Sequence, residues 1–366
     1  MIANRQPQNG NPQGGLRKQR GPPALPPLEN EMPYYIYVSS TGDNRISIWT
    51  MNRETGKLDE QGMVAAEGGP APMTASPDEK FMYVGMRQSR QIHSFRIDHT
   101  TGGLALAGTC TLDADPCYLS TDKNGRYLLS TYYRAGVVAV HRIGDNGVVL
   151  PPPVEWRGTS DRAHSIQTDP SNRFAFVPHV LPSNAIFQFR FDGRTGKLQP
   201  NDKVQPPVEE GPRHFCFHPS RDIVYVVNEQ GGSVTAYHMD AQAGTLAEFQ
   251  RVSTLPAGFD GDSACAEVRI NPDGDFLYAT NRGHDSIACF AVDEMTGELR
   301  AMGHVATEAT PRSFALDPAG EFLMVAGQGS GKMATYHVEE TGALIPIETV
   351  DVGNNPSWVQ VLNLNG

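Results

Sequence analysis

The chain has 366 residues, 39% of them hydrophobic, with a mean hydropathy of −0.39 and a net charge of −11. That is enough for one large domain or two ordinary ones, and no apolar run approaches the roughly 18 residues a membrane span needs, so no membrane partner is expected. The acidic balance argues against nucleic acid, because phosphate backbones want a basic surface, yet leaves room for a small anion in a locally basic pocket.

In chain order, residues 1–31 are rich in Gln, Asn, Gly and Pro. Such a segment buries too little to offset its ordering entropy and is expected to be a disordered tail. It lacks the apolar core of a secretory signal, and Met32, directly before the strand pattern PYYIYVSS, is a candidate start. Residues 32–366 are expected to form one domain in the cytoplasm, as a monomer or weak dimer. The 37 Gly and 28 Pro suit many short strands and turns. Cys110, Cys117, Cys216, Cys265 and Cys289 show no CxxC or Cys/His ligand spacing and read as small buried thiols.

From Met32 onward a unit repeats. A strand runs into a turn (TASPDEK, STDKNGR, QTDPSNR, CFHPSRD, RINPDGD, ALDPAGE), and an aromatic, β-branched strand follows, such as FMYVG or IVYVV. A third strand leads to a turn with Gly and Leu (TGKL, TGGL, AGTL, TGEL, TGAL). The turn residues Pro77, Lys123, Pro170, Pro219, Pro272 and Pro318 are spaced by 46, 47, 49, 53 and 46. Four short antiparallel strands in about 45 residues make one propeller blade. The chain opens on a second-strand pattern and ends on NPSWVQVLNL, an inner-strand pattern. The expectation is an all-β, seven-bladed propeller whose C-terminal strand completes the N-terminal blade.

Equivalent positions of successive blades form rings around the axis. Six residues before each turn residue stand Ala71, Cys117, His164, Arg213, Ala266 and Arg312; ten after stand Arg87, Tyr133, Val180, Glu229, Arg282 and Gln328. Neighbouring slots add His214, Asn228, Asn281 and Glu267. Four arginines in two equivalent rings of an acidic protein would repel one another unless an anion joined them, and a phosphate or carboxylate pairs bidentately with guanidinium. His164 is a candidate general base or acid, with Glu229 to orient it or to activate water. His93, His141, His238 and His337 fall in third-strand patterns and read as structural. Arginines are poor company for a cation, so no metal and no cofactor is expected. GQGSG at 327–331 reads as a hairpin turn rather than a phosphate cradle.

The segments RAHSIQTDPSNRFAFVP, EGPRHFCFHPSRDIVYVVNE, INPDGDFLYATNR and PRSFALDPAGEFLMVAGQ resemble those of the bacterial seven-bladed propeller 6-phosphogluconolactonases, over essentially 32–366. The same fold family includes fungal carboxy-cis,cis-muconate cyclases. The resemblance implies that His164, Arg213, Glu229 and Arg282 are active-site residues and that Arg312 holds an acidic group. Arg87, His214, Asn228 and Asn281 are expected to contact substrate. The expected reaction is hydrolysis of a sugar-acid lactone, 6-phosphogluconolactone first, with His164 as base and Arg213 and Arg282 at the oxyanion. The alternatives are carboxy-muconate cycloisomerisation and a non-catalytic binding platform. The first 31 residues and the longer AGFDGDSACAEV loop depart from the family.

Overall fold

The computed structural model describes residues 1–4, 33–207 and 209–364. The expected tail of residues 1–31 lies, beyond its first four residues, outside the described residues, as does Met32. Seven four-stranded antiparallel sheets follow one another around an axis. Blade 1 joins Pro356–Leu362 to Tyr34–Ser40, Arg45–Met51 and Leu58–Ala65. Blades 2 to 7 occupy residues 70–111, 118–158, 167–200, 212–253, 264–306 and 311–351, each in plain meander order.

Ring closure follows the expected route. Val359 pairs with Val38 and Val361 with Ile36, which buries the last strand's apolar face against the first. Strands at the two chain ends thus cover each other's open edges.

Within a blade, burial falls from the axis outward. Second strands such as Phe81–Met86 and Ile223–Asn228 are buried throughout, so their composition is apolar on both faces. Outer strands such as Leu58–Ala65 are largely exposed after a buried first residue. The turn between the first two strands is tied by the residue before the turn slot. Asp122 Oδ1 accepts from the Arg126 and Tyr127 N–H groups, and Asp169 and Asn271 repeat the arrangement.

Blades are latched to one another by a second-strand tyrosine. Tyr37, Tyr83, Tyr225 and Tyr278 donate to the carbonyls of Gly102, Gly147, Gly297 and Gly342 in the next blade, at 2.8–3.1 Å. These acceptors belong to the repeated Gly turns. The turn glycines have φ near +70°, and a Cβ on Gly102, Gly147, Gly244 or Gly342 would lie 2.0–2.2 Å from an aromatic ring of the preceding blade. The repeat therefore needs glycine twice over, for the left-handed backbone and for the ring packed on it.

Inner strands begin, and second strands end, at the same face of the ring. Both slots picked out by the repeat lie at that mouth. The cysteines are all buried free thiols, and His93, His141, His238 and His337 lie on third strands.

Candidate active site

The inner strands are not regular at the mouth. In blade 5 the register shifts between Pro212 and His214, leaving Arg213 as the extra residue; in blade 7 it shifts between Pro311 and Ser313, at Arg312. Blade 6 shifts across Ala266 and Glu267, blade 2 across Ala71 and Pro72, and blade 1 at Ser357. A proline opening the strand has no N–H for the ladder, and a bulge after it re-aims the next side chain. In blade 4 the paired inner strand shortens to Gln167–Thr168, and the His164 N–H bonds to the carbonyl of Pro178, which has no N–H to return. In five of the seven blades the inner strand is therefore bulged at the mouth, where this ring lies.

Two adjoining cavities share Arg87, Cys117, His164 and Arg312. One, about 150 Å³, adds Arg213, His214, Gln328, Thr41, Asn355, Ser357 and Trp358; the other, about 220 Å³, adds Tyr133, Glu229 and Arg282. Arg213 is 1% exposed; its Nε lies 2.8 Å from Glu229 Oε2, and its Nη1 donates to the Ala266 carbonyl. Arg282 Nη2 lies 3.0 Å from the same Glu229 oxygen and donates to the carbonyl of Cys265, while its Nε donates to Ala264. Arg87 pairs with Asp115 at 2.8 Å. Among the described residues no carboxylate lies within ion-pair distance of Arg312. Four guanidinium groups thus meet two carboxylates, Glu229 and Asp115. Burial and the neighbouring Arg213, Arg282 and Arg87 push Arg312 down to about 9, and burial with Arg282 pushes Arg213 down to about 10. Such a site is short of negative charge.

His164 is buried, and its Nδ1 lies 3.1 Å from His214 Nε2. His214 Nδ1 lies 3.1 Å from Glu267 Oε2. Burial, then Arg213, His214, Arg312 and Arg282, hold His164 well below its ordinary value, so its ring is neutral at pH 7. Burial alone would raise Glu229, but Arg213, Arg282 and Arg312 outweigh it and hold the carboxyl below its usual range. Glu229 is therefore an ionised partner of arginines. It is not the hydrogen-bond partner of His164, the role expected for it from the ring positions.

Arg87, His164, Arg213, His214, Glu229, Arg282 and Arg312 are brought together. Asn228 and Asn281, expected to touch substrate, are not. Both are fully buried in their own blades, Asn228 on Ser233 and Thr235, Asn281 on Thr254 and Ser286. Each is the residue just before the second ring slot, and strand alternation turns it away from the cavity. GQGSG is a hairpin turn between Phe322–Gly327 and Lys332–Val338, although its Gln328 does line a cavity. The long loop of blade 6 stays at the mouth, with Phe259 edge-on to His284 at 4.7 Å. Residues missed from the sequence are Thr41, Asn355, Ser357 and Trp358, all from the blade split between the chain ends. That blade has no turn proline to count from; the strand-opening proline of N-P-S, matching G-P-R and T-P-R, would have found Ser357.

At the mouth of the seven-bladed propeller a bulged, arginine-rich ring thus surrounds a neutral histidine and lines two small cavities. The family model described as "Lactonase, 7-bladed beta-propeller" matches residues 35–361, and the chain belongs to that family. It is 36% identical to a 6-phosphogluconolactonase of Pectobacterium carotovorum over 337 residues, 91% of this chain and 100% of that one. It is 34% identical to the 6-phosphogluconolactonase of Serratia proteamaculans, covering 90% and 99%. Among solved structures it resembles a periplasmic gluconolactonase of Pseudomonas aeruginosa, with a TM-score of 0.84, 26% identity and coverage of 90% and 99%.

Proposed function

We propose that this protein hydrolyses a sugar-acid lactone and that its substrate is 6-phosphogluconolactone. The observation that carries the reading is the excess of guanidinium over carboxylate around His164. Two positive charges remain after Glu229 and Asp115 are counted, and a phosphate monoester dianion supplies about two negative ones at neutral pH. The named activity of the relatives supports the same reaction class.

In this reading, His164 takes a proton from a water whose oxygen attacks the lactone carbonyl carbon. The tetrahedral oxyanion is held by Arg213 and Arg282, where donors fixed in a dry site act most strongly. The ring C–O bond then breaks, and His164 returns its proton to the departing ring oxygen, leaving a hydroxy acid that ionises at neutral pH. Arg312, with Arg87, holds the phosphate. Glu229 fixes the two oxyanion arginines. No cofactor or second copy of the chain is required, because every group named comes from one chain. The reading goes with the cytoplasmic location expected from the sequence.

One second reading rests on a specific resemblance. The Pseudomonas relative is named a periplasmic gluconolactonase, and an unphosphorylated lactone would leave Arg312 without a partner. The deciding experiment measures turnover of freshly made 6-phosphogluconolactone and of gluconolactone, corrected for spontaneous hydrolysis, by wild type and Arg312→Ala. Faster turnover of the phosphorylated lactone, with the preference lost in the variant, is expected. Equal turnover of both by wild type and variant would favour the unphosphorylated substrate, and no turnover of either would overturn lactone hydrolysis.

A further inference from the structure

His214 and Glu267 occupy the same slot in blades 5 and 6, five residues before Pro219 and Pro272. Both side chains are almost wholly buried, at 3% and 2% exposure, so neither can be the group that meets bulk water. Their hydrogen bonds line up in one direction. Glu267 Oε2 faces His214 Nδ1 at 3.1 Å, and His214 Nε2 faces His164 Nδ1 at 3.1 Å. The other carboxylate oxygen, Oε1, accepts the Val268 N–H at 3.3 Å and lies 3.6 Å from Arg269 Nε. Aromatic rings flank the row. Tyr118 meets the His214 ring edge-on at 5.0 Å, Trp358 lies at 6.1 Å, and Tyr133 meets His164 edge-on at 5.7 Å.

A neutral imidazole has one N–H and one lone pair, so each hydrogen bond in the row sets the next. An ionised Glu267 can only accept. His214 must then carry its proton on Nδ1, which leaves its Nε2 as an acceptor. His164 must in turn donate from Nδ1, and its Nε2, which has no protein partner among the described residues, is left as a lone pair. A protonated Glu267 reverses every member and puts the hydrogen on His164 Nε2, where it cannot accept a proton from water.

We propose that Glu267 and His214 are positioning residues that select the tautomer of His164, and through it decide whether the site holds a base. The inference deepens the lactonase reading by naming what sets its base. The structural part, the tautomer, is open to test without any substrate. Burial raises Glu267 above its ordinary value, an effect that Arg269, Arg213 and the Val268 N–H only partly offset, so the charge state of this carboxyl is the point on which the inference turns.

The test is ¹⁵N-histidine NMR of the full chain at pH 7.5, with the His164 signals assigned by their loss in His164→Gln, on wild type and Glu267→Gln. Wild type is expected to show the Nδ1–H tautomer at His164 and His214. In Glu267→Gln the amide can donate to His214 Nδ1, and both rings are expected to switch to Nε2–H with the fold retained. Turnover of the preferred lactone should fall roughly 10²–10⁴-fold in kcat with KM little changed, the range for loss of a general base. An Nε2–H tautomer at His164 in wild type, or an unchanged tautomer in Glu267→Gln, would overturn the proposal. So would a switched tautomer with undiminished kcat. If wild type turns over no lactone but the tautomer switches as described, the relay stands and the lactonase reading fails. Should Glu267→Gln not fold, the wild-type spectrum alone decides between the two tautomers.

Discussion

Arg213 Nε and Glu229 Oε2 lie 2.8 Å apart, joining the bulged residue of an inner strand to the residue that follows its neighbour strand in the same blade. The pair turns a carboxylate that could have been a base into the counter-charge of two arginines, since Arg282 shares the same oxygen. Removing one partner of a buried pair leaves the other charge uncompensated. Glu229→Gln is expected to lower stability by about 3 kcal/mol, read by denaturant unfolding. Millimolar phosphate should restore more of that loss in the variant than it adds to wild type. A variant as stable as wild type would mean that solvent already screens Arg213.

Arg312 presents the opposite case, a half-buried cation with three arginines nearby and, among the described residues, no carboxylate within ion-pair distance. Arg312→Met should leave the melting temperature unchanged or raised, because it removes repulsion. It should raise KM for the phosphorylated lactone about 10–100-fold, as expected for a charged hydrogen bond worth about 1.5–3 kcal/mol. A fall in stability with an unchanged KM would assign Arg312 to the scaffold.

His164→Gln should lose roughly 10²–10⁴-fold in kcat with an unchanged fold. In wild type, activity needs the neutral ring, whose pKa is held well below 6.5 by burial and by Arg213, His214, Arg312 and Arg282. The pH–rate profile is therefore expected to stay flat from pH 8 down through 6.5 and to fall only at more acidic values. An acid limb centred at 6.5 or above would contradict the buried, neutral ring.

Stability should also depend on pH. His141 and His179 are buried and pushed down to about 4 by loss of solvation, and His164 and His214 shift the same way. Below pH 6.5 the unfolded chain binds protons that these folded rings refuse. Each ring then costs about 1.4 kcal/mol per pH unit as pH falls from 6.5 toward its folded value, and its full contribution is present above 6.5. Glu267, Asp317 and Glu79 shift upward and act in the opposite sense. The midpoint in urea should fall steadily between pH 6.5 and 5; a midpoint that stays constant over that interval would count against neutral buried histidines.

Gly244 has φ +71°, and a Cβ there would lie 2.0 Å from Phe174 of the preceding blade. Gly244→Ala is expected to destabilise by about 2–5 kcal/mol, from left-handed strain and overpacking together. Tyr225→Phe, which removes only the bond to the Gly297 carbonyl, should cost about 1 kcal/mol. Equal effects of the two substitutions in equilibrium unfolding would show that the hydroxyl latch, rather than the ring packing, joins the blades.

The fold was legible because it is periodic. Turn prolines, aromatic second strands and Gly turns recur at nearly equal spacing, and the unmatched half-blades at the two ends require each other. The same counting aligned Arg87, His164, Arg213, Glu229, Arg282 and Arg312, since equivalent positions in a closed ring face one axis. Counting along the chain could not decide which way a side chain leaves that ring. Asn228 and Asn281 stand next to ring residues, yet strand alternation turns them into their blades. Ser357 and Trp358 reach the cavity from a blade assembled only when the chain ends meet. The partner of His164 was likewise set by tertiary structure. A shortened inner strand in blade 4 and bulges in blades 5 and 6 bring His164, His214 and Glu267 into one hydrogen-bonded row, across 103 residues of sequence from 164 to 267. Periodicity is a property of the sequence, whereas bulge geometry and pairing across blades exist only once the ring has closed.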